Sequence, residues 1–216
     1  MKAPRPARTR YAVRTPARIL DVAARLFEQR GYAAVTLKDI VKAAKVNGAS
    51  VNYHYGDKRN LYRQVIERGL QNREQSAPLE TDAGRSPAER LRGFIRALMT
   101  QLLDPSEPSR MSRLMLREAI EPTFAFARAV DELPKRQLRI LDGIIGELAG
   151  PAVAAARVRR MSISVLGQCV YYRYAENMLR SIDPRLRYSP RTVAQIAEHI
   201  YEFSIFAIMG FKRERK

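Results

Sequence analysis

The stretch "TLKDIVKAAKVNGASVNYHYGDKRNLY", Thr36 to Tyr62, holds two short apolar clusters on either side of a break, followed by an aromatic run and a Lys-Arg pair. Thr-x-x-Asp at Thr36 and Asp39 has the form of a capping box, in which each side chain satisfies a backbone N–H of the other residue. The helix it opens carries Ile40, Val41 and Ala44 on one face and spans barely two turns. Asn47 has the chemistry of a cap for a third short helix through Val51 and Tyr53. Only Ala44, Lys45 and Val46 separate the two helices, so they must cross at a steep angle.

Upstream, "TPARILDVAARLFEQRGY" offers Thr15 as a cap, Pro16 at the first helical position, and an apolar stripe of Ile19, Val22, Ala23, Leu26 and Phe27. Gly31 ends that helix, because it takes the left-handed conformation cheaply. Downstream, Asp57 caps a helix with Leu61, Tyr62, Val65 and Ile66 on one side, which fades into the polar "QSAPLETDAGRSP". Longer amphipathic segments follow at about 87–103, 109–120, 132–148, 151–180 and 190–211. Strand-type alternation is missing over any useful length. The expected fold is all-α: a three-helix helix-turn-helix unit, then a larger helical C-terminal domain.

The 216 residues include 39 Lys and Arg against 22 Asp and Glu, a formal +17, and 46% are hydrophobic, enough for a real core. Residues 1–75 hold sixteen of the basic and six of the acidic groups, so most of the excess belongs to the N-terminal unit. Such an imbalance favours a polyanionic partner. The N-terminus has no apolar stretch of the secretory kind, and "IYEFSIFAIMGF" is too short and too interrupted to span a bilayer. A soluble cytoplasmic chain without membrane contact is expected. The single cysteine, Cys169, can form no intrachain disulfide and reads as a buried thiol, with a redox role left open. His54 and His199 are far apart in sequence, and neither a nucleophile-base pair, a Gly-rich phosphate loop nor a metal-ligand cluster is visible. The chain is therefore expected to be no enzyme and to need no cofactor or metal.

A short helix braced across another is the arrangement that enters the major groove of DNA, which is about 12 Å wide. The reading helix would be Asn47 to Tyr53. Gly48, Ala49, Ser50 and Asn52 are small or amide-bearing, which lets the backbone approach the bases; Asn52 can read adenine and Ser50 either edge. Val51 and Tyr55 read as core. A basic architectural or membrane-surface helical protein would also explain +17, but not the capped short helices at turn spacing.

From Ile19 to Ile66 the sequence resembles the N-terminal DNA-binding domain of the TetR family of bacterial transcription regulators, in its Ala-x-x-Leu-Phe-x-x-x-Gly-Tyr segment, the Thr before the second helix, and the Tyr-His-aromatic run with its following Lys. "LREAIEPT", Leu116 to Thr123, and "GQCVYYRYAE", Gly167 to Glu176, are similar to the C-terminal domain of the CecR-type subgroup. Two positions depart from the family pattern: Tyr55 stands where Phe is usual, and Lys45 where Gly is usual.

The resemblance implies that Thr36 grips a phosphate, that Tyr53 and His54 contact the DNA backbone and that Lys58 meets a phosphate; a cap at Thr36, packing of Tyr53 and a solvated charge at Lys58 are the competing readings. Lys45, if its backbone is left-handed, either touches DNA or sits exposed in an adjusted turn. It implies residues 1–14 as a disordered basic arm, 15–62 as the DNA-binding domain and 63–216 as a ligand-binding and dimerisation domain. The expected partners are a palindromic double-stranded DNA operator, a second copy of the chain and a small-molecule effector that releases a repressor from DNA. The last two long segments would form the dimer, with Val165, Tyr172, Leu179, Ile196, Ile200, Phe203 and Ile208 as candidates, although a core face within the chain would look the same. Met99, Met111, Met115, Phe124 and Phe126 are candidates to line the effector pocket, with Glu118, Gln168 and Tyr171 to orient the ligand; ordinary core packing, capping and ion pairing explain the same residues.

Overall fold

The computed structural model describes residues 8–76, 84–103 and 107–213, with the side chains of 8–14, 72–76, 107–111, 126–133 and 212–213 left out of that description. Among these residues the regular structure is ten α-helices: α1 (Arg8–Ala34), α2 (Leu37–Ala44), α3 (Gly48–Tyr55), α4 (Lys58–Ser76), α5 (Pro87–Leu103), α6 (Glu107–Ile120), α7 (Phe126–Ala149), α8 (Ala155–Tyr174), α9 (Glu176–Ile182) and α10 (Pro190–Arg213).

Helices of eight residues such as α2 and α3 are not stable alone in water. They stand because each buries an i, i+4 pair: Ile40 and Ala44 from α2, Val51 and Tyr55 from α3. These pack with Ile19, Val22, Ala23 and Phe27 of α1 and with Leu61, Tyr62, Val65, Ile66 and Leu70 of α4. That core runs past residue 62 along α4 and takes in Leu114 of α6 and Ala125, so α4 and α6 join the two halves. A second core is built by α5, α7, α8 and α10, around Leu91, Phe94, Ile95, Leu98 and Met99.

Three boundaries differ from the sequence expectation, among them the start of α7, which lies at Phe126 rather than about 132. The first helix begins at Arg8 rather than at Thr15, so Pro16 lies inside it. A proline there removes one backbone hydrogen bond, a loss that a helix with turns on both sides can carry. The segment expected at 151–180 is broken at Ala175, which has φ −92° and ψ 15°. No glycine or proline marks the break. Beside it Arg173 is buried, donates from Nε to the Leu102 carbonyl at 2.6 Å and pairs with Glu176, a tertiary anchor that periodicity does not register. The polar stretch expected as a domain boundary falls largely at residues 77–83, outside the described residues.

The two departures from the family pattern have structural answers. Lys45 adopts φ 50°, ψ 49°, the left-handed conformation, and its carbonyl accepts a hydrogen bond from Arg18 at 3.3 Å. The Tyr55 hydroxyl donates to the Pro16 carbonyl at 2.7 Å, and burial pushes its pKa up. Replacing Lys45 by Gly removes the left-handed penalty and should stabilise the fold by about 0.5–1 kcal/mol. Tyr55→Phe should cost about 1 kcal/mol for the lost hydrogen bond. Urea unfolding monitored by circular dichroism measures both, and a Tyr55→Phe variant as stable as the parent contradicts a role for that bond.

Candidate nucleic-acid interface

The start of α2 is fixed by the capping box read from sequence. Asp39 N–H donates to the Thr36 hydroxyl oxygen at 3.2 Å, and the Asp39 carboxylate accepts from the Thr36 hydroxyl at 2.6 Å and the Thr36 N–H at 2.8 Å. These bonds from Thr36 hold the Asp39 carboxyl below its usual pKa. Thr36 itself is exposed, at the positive end of the α2 dipole.

Asn47 caps α3 by accepting the Ala49 N–H on Oδ1 at 3.1 Å, so that oxygen is committed. The inward residues of α3 are large and buried; the outward ones, Ala49, Asn52, Tyr53 and His54, are exposed, and Gly48 and Ser50 are half-buried. Tyr53 is 84% exposed, an unusual state for a tyrosine without a partner, and the His54 ring stands edge-on to it with centroids 5.0 Å apart. Lys45 is exposed at the turn between α2 and α3. Lys58 lies 3.4 Å from the Ala33 carbonyl and 4.2 Å over the Tyr32 ring, and partial burial lowers its pKa. Its ammonium is thus already seated beside the α1–α2 link. Lys38 and Lys42 of α2 are exposed as well; their place on the helix opposite Ile40 and Ala44 would have marked them in the sequence.

The effector candidates fall in separate places. Met115 and Phe124 pack against the N-terminal core, where Phe124 meets Tyr32 and Tyr62 edge-on and carries the Arg59 guanidinium at 4.4 Å. Glu118, only 2% exposed, accepts from the Tyr62 hydroxyl, from Thr123 N–H at 3.1 Å and from the Thr123 hydroxyl at 2.9 Å. Burial and the Glu118 bond push the Tyr62 phenol far above its ordinary pKa. Met99 is wholly buried in the C-terminal core. Gln168 donates to Ser204 across α8 and α10 at 3.4 Å, and Tyr171 is 48% exposed on α8. The side chains of Met111 and Phe126 lie outside the described residues. Glu118 is therefore a structural junction between α4 and α6.

The dimer stripe needs a correction. Val165, Ile200 and Ile208 are buried in the chain's own core, Tyr172, Leu179 and Ile196 are half-buried, and Phe203 alone of the named residues is exposed. The large apolar side chains that α8 and α10 leave exposed are Ile163, Tyr171, Tyr174, Phe203, Phe206 and Met209. Both helices are amphipathic on two sides, and sequence spacing does not say which stripe turns inward. Cys169 is wholly buried, and burial pushes its thiol up to about 12. Among the described residues no helix is long and apolar enough to cross a membrane, and no group of three or more His, Cys, Asp or Glu is placed to hold a metal.

A capped helix, a left-handed turn and a second helix propped outward define a helix-turn-helix DNA-binding protein. Residues 19–65 match the profile of the bacterial regulatory proteins of the tetR family, and residues 87–208 match the C-terminal domain of the HTH-type transcriptional dual regulator CecR. The chain belongs to the TetR family, with a C-terminal domain of the CecR type, and is a DNA-binding transcriptional regulator.

The biofilm operon icaADBC HTH-type negative transcriptional regulator IcaR of Staphylococcus epidermidis is 42% identical over 50 residues, 23% of this chain and 27% of that protein. The Staphylococcus aureus IcaR is 38% identical over the same length. The chain thus spans about a quarter of these curated relatives. A TetR-like transcriptional regulator from Rhodococcus sp. RHA1 shares the fold with a TM-score of 0.69 at 17% identity, over 97% of this chain and 100% of that one. AibR in complex with isovaleryl coenzyme A and operator DNA gives 0.68 at 21% identity, over 88% and 97%.

Glu118→Ala leaves the buried Tyr62 hydroxyl and Thr123 N–H without an acceptor and should destabilise the fold by about 2–4 kcal/mol. Thermal unfolding measures it; a loss under about 0.5 kcal/mol means that water replaces the carboxylate and the junction is not rigid.

Proposed function

We propose that the protein is a repressor that binds a palindromic operator as a homodimer and leaves it when a small molecule binds the C-terminal domain. One observation carries the DNA-reading part. A Cβ built on Gly48 meets nothing within 4 Å, so the fold has room for a larger residue there. Smallness at the head of α3 then serves what lies outside the chain, a backbone brought close to base edges. Asn52 and Ser50 follow on the same helix to read bases. Thr36 with the α2 amides, Lys45, Tyr53, His54 and Lys58 contact the phosphate backbone.

Two copies pair through the exposed apolar faces of α8 and α10, which places two α3 helices about one DNA turn, roughly 34 Å, apart. The negative regulator IcaR supports repression, and AibR, whose structure holds both an acyl coenzyme A and operator DNA, supports a ligand-responsive fold. Release follows from linkage: a ligand that binds better to the form with wrongly spaced α3 helices lowers DNA affinity by that difference.

Selection from a random duplex pool with the full chain tests the reading. It should yield a two-fold symmetric consensus; binding without sequence preference points to an architectural protein instead. Gly48→Ala should raise stability by up to about 1 kcal/mol yet weaken operator binding by about tenfold. Asn52→Ala should cost about 1–3 kcal/mol at the matched site and little elsewhere, while Tyr53→Ala weakens all sequences alike. Unchanged base preference in Asn52→Ala removes it from the reading set.

A further inference from the structure

Between α1, α6 and the corner of α8 and α9 lies a cleft of about 490 Å³, within the size range of small-molecule sites. Its walls carry three guanidinium groups, Arg113, Arg117 and Arg173, and three carboxylates, Glu28, Glu121 and Glu176. Two of the guanidinium groups are committed: Arg113 pairs with Glu28, and Arg173 pairs with Glu176, which also takes Arg180 at 2.8 Å.

Arg117 differs. Its Nε is buried and has no hydrogen-bond partner among the described residues. The nearest carboxylate oxygen, on Glu121, stands 3.5 Å away and is not aligned to accept from it. Glu121 is 70% exposed, so water competes for it and it holds Arg117 weakly. The mostly polar walls of the cleft also carry the apolar side chains of Leu116, Ile120 and Tyr174. Ile120 and Tyr174 are 57% and 62% exposed, apolar surface that an occupant of the cleft would cover.

It is this buried Nε edge of the Arg117 guanidinium that lies against Gly31, while the side chain as a whole keeps 38% of its surface open. A Cβ there would come within 2.7 Å of Nε and 3.0 Å of Cζ. Gly31, with φ 77° and ψ 166°, is the bend at which α1 turns toward the cap of α2. The side chain that faces the cleft therefore also rests on the hinge of the DNA-binding unit.

We propose that this cleft binds a small amphipathic anion, with a carboxylate or phosphate on Arg117 and an apolar tail on Leu116, Ile120 and Tyr174, and that Arg117 passes its occupancy to the helix-turn-helix through Gly31. This rests on the reading of the chain as a ligand-released regulator and names the site and class of its effector. The anion replaces Glu121 as partner, which is possible because Glu121 has full access to water. Drawing the guanidinium toward the anion lifts it from Gly31 and frees the bend that sets where α2 and α3 stand. The two forms then differ in affinity for the anion, as coupling requires.

Calorimetry on the full chain without DNA tests the site. Octanoate and octyl phosphate should each bind saturably, the tighter of the two naming the headgroup, while acetate, inorganic phosphate and octanol bind at least about tenfold more weakly. Arg117→Ala should weaken the binding of both amphiphiles by about tenfold. Arg96→Ala, an equal loss of charge on exposed α5, should not. If neither amphiphile binds saturably, or if Arg117→Ala binds them as well as the parent, the assignment is overturned.

The link is tested without any ligand. Gly31→Ala should lower the melting temperature, and by less in an Arg117→Ala background, where the colliding side chain is gone. Equal losses in both backgrounds show that Arg117 does not press on the bend. None of these measurements involves DNA, so their failure is separate from a failure to select an operator.

Discussion

The structure depends on holding two eight-residue helices in place that could not exist by themselves. Each offers one apolar face of two residues, and α1 and α4 close over both. The link between them, Lys45 to Asn47, must redirect the chain sharply, and Lys45 takes up a conformation that side chains resist. Its strain is tolerated because Arg18 binds the turn carbonyl and because Ile40, Ala44, Val51 and Tyr55 gain their burial only if the turn closes. The outward face of α3 is left free of structural duty, and for that reason it is available for recognition.

A second constraint joins the halves. Glu118 of α6 is a buried carboxylate whose hydrogen-bonded partners are neutral donors from α4 and from Thr123. Burying such a charge is costly unless its lone pairs are satisfied, and here several donors converge on it. The aromatic group of Phe27, Tyr32, Tyr62 and Phe124 surrounds the same spot. Small rotations of α6 must therefore move α4 with it, because the packed rings leave little slack.

Much of the N-terminal unit was legible in the sequence because its signals are local. The Thr36–Asp39 box, the Asn47 cap, the positive φ at Gly31 and the inward residues of α2 and α3 are all set by neighbours within a few positions. Distant partners were not legible. The hydroxyl of Tyr55 needs a partner by its chemistry, but that the partner is Pro16 follows only from the crossing of α3 over α1. Glu118 is a polar residue near an apolar face, which sequence reads equally as a ligand group or as an anchor, and the hold of Arg173 on the Leu102 carbonyl leaves no local trace. The stripes of α8 and α10 were seen as apolar; which stripe is core and which is surface depends on the packing of α5 and α7. The resemblance implies a phosphate contact for Lys58, but its seat on Ala33 and Tyr32 arises from the return of α4 past the end of α1, which no local pattern records.

The solitary cysteine has a practical corollary. A sulfur atom sealed within the C-terminal core, and held in its uncharged form at neutral pH, resists alkylation while the chain stays folded. The native protein is thus chemically silent toward maleimides. Reporter groups attached at newly introduced cysteines on α3 and α10 would label only those positions, opening the distance between these two helices to spectroscopic rulers without first removing Cys169.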